Sequence, residues 1–370
     1  FTMAAPGCFV TTFLRNLENE LPADCEQYPP GVLEAGLEMA DFLIARAPLP
    51  VLLLGQHYDY FDRRGHQEAC DELRRFYQIL GAPESRVGCF RGGHSHGYFR
   101  ENQQEMVDFF AFHAGLGQVQ HVDETEVVEE KQLYATPTGE VMEAGNKPAY
   151  EFIAERADAL SQRPPLTVPQ LKEKLAELLQ LPEDRSIPNY RNLRPVVIRE
   201  TTYGRYAIDT ERNVRAILRK KMAEPAYAHC LDVEDTVRLY LPHASSEEDL
   251  ANDPLALSLQ ERGELYALDV RGLGESMPDE EGPFWASYGM DYMYHGHGLL
   301  FGESYLGRRV YDALRTLDLV SAVGAQQIYL YGRGQGALIA LFTALLHPQA
   351  KSVTLKNAPR SYYEWTQAPL

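Results

Sequence analysis

YLYGRGQGALIALFTALL, residues 329–346, is the stretch from which this chain is best read. A short apolar run ends in Gly332-Arg333-Gly334-Gln335-Gly336, and a longer apolar run follows at once. The first run has the length and composition of a strand and the second suits a helix, so the pattern predicts strand, tight glycine turn, helix. Glycines at 332 and 336 would let the helix approach the strand closely, and Gly334 between them tolerates a strained backbone. A phosphate-binding turn is the competing reading. GRGQGA, however, lacks the third glycine of GxGxxG at the right place and has no GK[ST].

Strands and helices alternate on both sides of this turn. PVLLLG (50–55) is a continuous apolar run, as in a strand covered on both faces. FTMAAP (1–6), NVRAILRKK (213–221), TVRLYLPHA (236–244), LYALDVRG (265–272), QIYLYG and SVTLKNAP (352–359) also read as strands. GVLEAGLEMADFLIAR (31–46), HQEACDELRRFYQIL (66–80), ENQQEMVDFFAFHAG (101–115), LTVPQLKEKLAELLQLP (166–182) and YLGRRVYDALRTLDLVSAVG (305–324) have helical spacing. The alternation predicts an α/β fold, a mostly parallel sheet with helices on both faces. Acidic residues and prolines crowd 116–165, which predicts a first domain at 1–125, a junction at 126–165 and a second domain at 166–370. FTMAAPGCFVTTF and TLKNAPRSYYEWT share a strand, an Ala-Pro and an aromatic stretch, so the chain reads as starting where it stops, one repeat later.

Composition narrows the function. At 370 residues and 45% hydrophobic the chain can bury a large core. A net charge of −18 argues against a nucleic-acid partner and fits a neutral substrate. No apolar run has the ~18–20 residues of a membrane span, and no secretory leader is read at Phe1. Cys8, Cys25, Cys70, Cys89 and Cys230 show no CxxC pair and read mostly as buried thiols.

The chemistry-bearing residues follow strand ends. A nucleophile elbow places a serine where Gly334 stands, so this copy has the turn without an oxygen to attack with. HYDYFD (57–62) follows PVLLLG, and Asp59 is the acid placed to orient a histidine, with Asp62 a helix cap. In GGHSHGYF (92–99), His96 is preferred to His94 as the base, because neutral imidazole suits proton uptake and return near pH 7. HxH metal sites at 94–96 and at the loop HGHG (295–298) are disfavoured for want of a third ligand pattern. LPHASS (241–246) lies where an oxyanion pocket is commonly built.

YALDVRGLGES (266–276), GESYLGRRVYDALRTLDLV (302–320) and the glycine turn together resemble the α/β-hydrolase superfamily, in its acetyl xylan esterase and related carbohydrate-esterase branch. AAPGCFVTTF, ADFLIARAPLPVLLLGQHYDYFD and GGHSHGYFRENQQEMVDFF resemble the second half of such a domain. The resemblance implies a tandem pair of which this chain holds the back half of one domain and the front half of another. It implies Asp59 and His96 as acid and base, Gly334 at the lost nucleophile and Gln335 at the oxyanion donor. The working serine would lie upstream of Phe1, and the second domain would be inert. The substrate would be an acylated carbohydrate or small ester, with no cofactor and no metal, and a secreted or periplasmic location. A non-catalytic binding or scaffold protein is the alternative.

Overall fold

The computed structural model describes residues 2–19, 21, 28–119, 127–223, 230–263, 265–278 and 283–367, the side chains of 283–290 excepted. Cys25 and the acidic run 121–126 lie outside the described residues. The chain forms two compact units, Phe1–Leu133 with Tyr292–Gly302, and Tyr134–Asp291 with Glu303–Leu370.

In the first unit, α1 (Phe13–Glu18) and α2 (Met39–Ile44) precede β1 (Val51–Gln56), α3 (Arg63–Ile79), β2 (Val87–Gly92) and α4 (Arg100–Ala114). β1 is apolar up to Gly55 and buried throughout, and it pairs in parallel with β2, Val51 opposite Val87. Its other edge is covered by the extended segment around Ala4–Cys8, with Leu52 N–H donating to Ala4 O at 2.9 Å and Cys8 N–H to Leu54 O at 2.8 Å. Val51, Leu53, Ala69, Leu73 and Tyr77 pack a core in which each large apolar side chain contributes about 1.5–3 kcal/mol. Asp62 caps α3 by accepting from Arg64 N–H at 2.7 Å. The helix expected over 31–46 is only α2, because Gly36 takes a left-handed φ of 73° and Glu38 starts a new helix with a capping box. Cys70 and Cys89 form a disulfide between α3 and β2, which corrects the reading of both as thiols. They are 19 residues apart, and only the parallel packing brings them together.

The second unit opens with α5 (Ala149–Ser161) and α6 (Val168–Leu178), the latter with Pro169 in its first turn. β3 (Tyr190–Ile198), β4 (Thr201–Glu211), β5 (Val214–Lys221) and β6 (Thr236–Leu241) follow. After them come α7 (Ser246–Asn252), α8 (Pro254–Glu261), β7 (Tyr266–Asp269), α9 (Pro283–Leu300), α10 (Tyr305–Val323), β8 (Gln327–Arg333), α11 (Gln335–Leu346), β9 (Ala350–Lys356) and α12 (Tyr362–Gln367). HGHG therefore lies within α9, in the part from Tyr292 onward that belongs to the first unit, and not on a loop; His297 Nε2 donates there to Leu21 O at 2.9 Å.

Among the described residues the sheet has the order β3-β4-β5-β7-β6-β8-β9. Its β7-β6-β8-β9 half is parallel, but β3-β4, β4-β5 and β5-β7 are antiparallel. The expectation of a mostly parallel sheet is corrected here to a mixed one. The physical reason is two tight hairpins. Arg199 and Glu200 both take positive φ, 42° and 43°, between β3 and β4, and Asn213 at 64° turns β4 into β5.

Helices cover both faces of this sheet. Leu239, Leu241, Tyr266 and Leu268 share a core with Leu314 and Leu317 of α10 and Ile339 of α11. The alternating Tyr240 and Ala267 face Leu250 of α7 and Ala256 and Leu259 of α8. The two Ala-Pro copies are placed differently: Pro6 O accepts from Leu54 N–H at 3.0 Å within the paired segment, whereas β9 ends at Lys356, before Pro359.

Candidate active site

In the first unit, β1 and β2 end side by side, and the chain leaving each strand carries one of the two candidate residues. His57 N–H donates to Gly92 O at 2.9 Å and Tyr58 N–H to His94 O at 3.0 Å, so the two loops run together. Asp59 and His96 meet there. His96 Nδ1 lies 3.0 Å and 3.2 Å from the two carboxylate oxygens of Asp59. The Asp59 side chain is 2% exposed and the His96 side chain 41% exposed, so a buried carboxylate holds a ring that opens to solvent. Asp59 Oδ1 also accepts from Phe61 N–H at 3.0 Å, which fixes the carboxylate. An ionised carboxylate only accepts, so Nδ1 carries the proton and Nε2 is left to take one up. Tyr60 stacks on the His96 ring at 4.4 Å between centroids.

His94 is held elsewhere. Its Nε2 pairs with Glu101 Oε1 at 2.8 Å and its ring stacks on Phe99 at 4.2 Å. Beneath the loop, Cys8 takes a φ of 53° and its thiol donates to Gly97 O at 2.9 Å, with burial pushing the thiol pKa up. Among the described residues no group of three or more His, Cys, Asp or Glu could hold a metal ion.

Gly334 and Gln335 lie in the second unit, between β8 and α11. Gly334 has φ 56° and ψ −120°, a backbone state that L side chains rarely adopt. A Cβ on Gly336 would collide with the carbonyls of Leu241 and Pro242, and one on Gly332 with the backbone of Gly336 and Ala337. The glycines thus hold helix against strand, as the elbow pattern requires. The space beside Gly334 is taken by the His243 ring, where a Cβ would collide with Nδ1. Gln335 N–H donates to that same nitrogen at 3.2 Å. The Gln335 side chain accepts from Arg309 Nη1 at 2.7 Å, and Arg309 is in turn paired with Asp291 at 2.6 Å. His243 falls in LPHASS, which the sequence marks only as a stretch, and Tyr60 in HYDYFD; for Gln56 the available signal is a polar residue closing an apolar strand run.

No family model matches the chain, and no curated protein does. Among solved structures it is similar to acetyl xylan esterases. A Bacteroides fragilis protein assigned to that activity is 14% identical over 61% of this chain and 61% of its own, with a TM-score of 0.38. The enzyme from Paenibacillus sp. R4 is 20% identical over 56% of this chain and 58% of its own, TM-score 0.30. Acetyl xylan esterase 1 from Thermoanaerobacterium is 14% identical over 51% and 57%, TM-score 0.31. The chain therefore spans about three-fifths of the length of these structures. Among the described residues no helix is long and apolar enough to cross a membrane.

Proposed function

We propose that the first unit carries the acid–base half of a serine-type carboxylic ester hydrolase, and that the second unit is an inert copy of the same fold. The observation that carries this is the contact between His96 Nδ1 and the buried Asp59 carboxylate. A serine elbow preceding Phe1 would attack the acyl carbon, His96 Nε2 would take the hydroxyl proton and return it to the leaving alcohol, and Asp59 would hold the tautomer. Backbone N–H groups would stabilise the oxyanion. The substrate class is an acylated carbohydrate, a xylan-type acetyl ester, or a small ester, and the chemistry needs no cofactor. The Cys70–Cys89 disulfide accords with a secreted or periplasmic setting.

The inert role of the second unit is supported by Gly334, which has no nucleophilic atom, and by His243, which engages the Gln335 N–H that would serve an oxyanion. The same two features favour the runner-up, a binding or scaffold protein without turnover. Turnover of p-nitrophenyl acetate by the full-length protein and by His96→Ala separates them. We expect a roughly 10²–10⁴-fold loss in the variant. Turnover unchanged in the variant sinks the hydrolase reading, and acetylated-glycan binding with no turnover in either protein supports the scaffold.

A further inference from the structure

We propose that Gln56, the last residue of β1, is the positioning residue for His96. The inference rests on the hydrolase reading above, because positioning matters only if His96 moves a proton.

Gln56 is 1% exposed. Its Oε1 accepts from His94 N–H at 3.2 Å and its Nε2 donates to Gly97 O at 3.2 Å. Those two backbone groups stand on either side of His96, so one buried carboxamide brackets the residue that faces Asp59. Gln56 Nε2 also donates to Asn102 Oδ1, and Asn102 is fully buried in the first turn of α4. Asn102 Oδ1 accepts in addition from Phe99 N–H at 3.2 Å, where the loop enters the helix. Cys8 adds its thiol to the same Gly97 carbonyl.

The loop asks for one acceptor at His94 and one donor at Gly97, three positions on, and a carboxamide supplies both. A glutamate could accept from His94 N–H but not donate to Gly97 O, and a methionine offers no donor and only a weakly accepting sulfur. Because Gln56 closes the strand from which the Asp59 loop departs, the clamp ties the histidine's loop to the acid's strand. Loss of the clamp would let His96 drift from Asp59, and displacement of a catalytic group by about 1 Å costs up to roughly 10²-fold in rate.

The test uses the full-length protein and p-nitrophenyl acetate, with Gln56→Met and, should that variant not fold, the shape-preserving Gln56→Glu. We expect kcat to fall roughly 10–10²-fold with KM within about twofold, measured well below each variant's melting temperature. Leu53→Ala, a core truncation three residues earlier on β1, should lose stability and keep kcat. In the double variant Gln56→Met with His96→Ala, no further loss beyond His96→Ala is expected, since the clamp acts through His96. Wild-type kcat in Gln56→Met beside an inactive His96→Ala overturns the positioning role alone. Additive losses in the double variant overturn it too. An active His96→Ala overturns instead the reading beneath it.

Discussion

The ring of His243 occupies the volume that a side chain on Gly334 would need, and its Nδ1 accepts the backbone N–H of Gln335. One imidazole thus fills the space beside Gly334 and engages the backbone donor of the next residue. Any side chain placed at 334 would have to displace that ring.

Gly334→Ser should therefore destabilise the second unit without conferring esterase activity. Holding an L residue in this sparsely populated backbone state costs about 1–3 kcal/mol, and forcing a side chain into occupied space about 1–3 kcal/mol more. Adding His243→Ala should recover the packing part and leave the backbone part. A double-mutant cycle on denaturant midpoints reads both, and a fully additive cycle contradicts the steric account.

Asp59→Asn tests the acid separately from the base. The amide keeps the shape but can present an N–H to His96 and lock the wrong tautomer. We expect kcat to fall roughly 10³–10⁴-fold with little change in stability. A variant within tenfold of wild type would leave Asp59 a structural loop acid.

His66 should make the first unit acid-sensitive. It is 5% exposed beside Gly55, and burial lowers its pKa to about 4, against an ordinary value near 6.5. The unfolded chain binds a proton on this ring below pH 6.5 while the folded chain resists until about pH 4. The stability it contributes is thus present above pH 6.5 and lost as pH falls to about 4, by about 3 kcal/mol in all. His66→Gln should remove that part of the slope. Equal pH dependence in the two proteins contradicts it.

The Cys70–Cys89 bridge closes a loop of 19 residues between α3 and β2. In the chain-entropy account its loss costs about 3 kcal/mol. Denaturant melts with and without reductant, compared with the Cys70→Ala, Cys89→Ala double variant, measure it. Identical midpoints in all three would show that the bridge adds nothing to stability.

Much of the layout was legible because its signals are local. β1 announces itself by apolar residues from Val51 to Leu54, α3 by its periodicity and the Asp62 cap, and the β8–α11 turn by glycines whose neighbours leave no room for a Cβ. β3 and β4 were not legible. Their hairpin turns on Arg199-Glu200, which lacks the glycine or asparagine that usually signals such a turn, and Pro195 sits by a register shift in β3.

By itself, the sequence determined the parallel βαβ pattern of the first unit, the loops bearing Asp59 and His96, and the absence of a side chain at 334. Tertiary structure alone decided that a histidine 91 residues away fills that gap, that Cys70 bonds Cys89, and that Gln56 lies under the His96 loop. The reason is physical. Backbone preference and apolar periodicity are written in neighbouring residues, whereas the contacts of a buried polar group depend on which distant elements the sheet brings within about 3 Å of it.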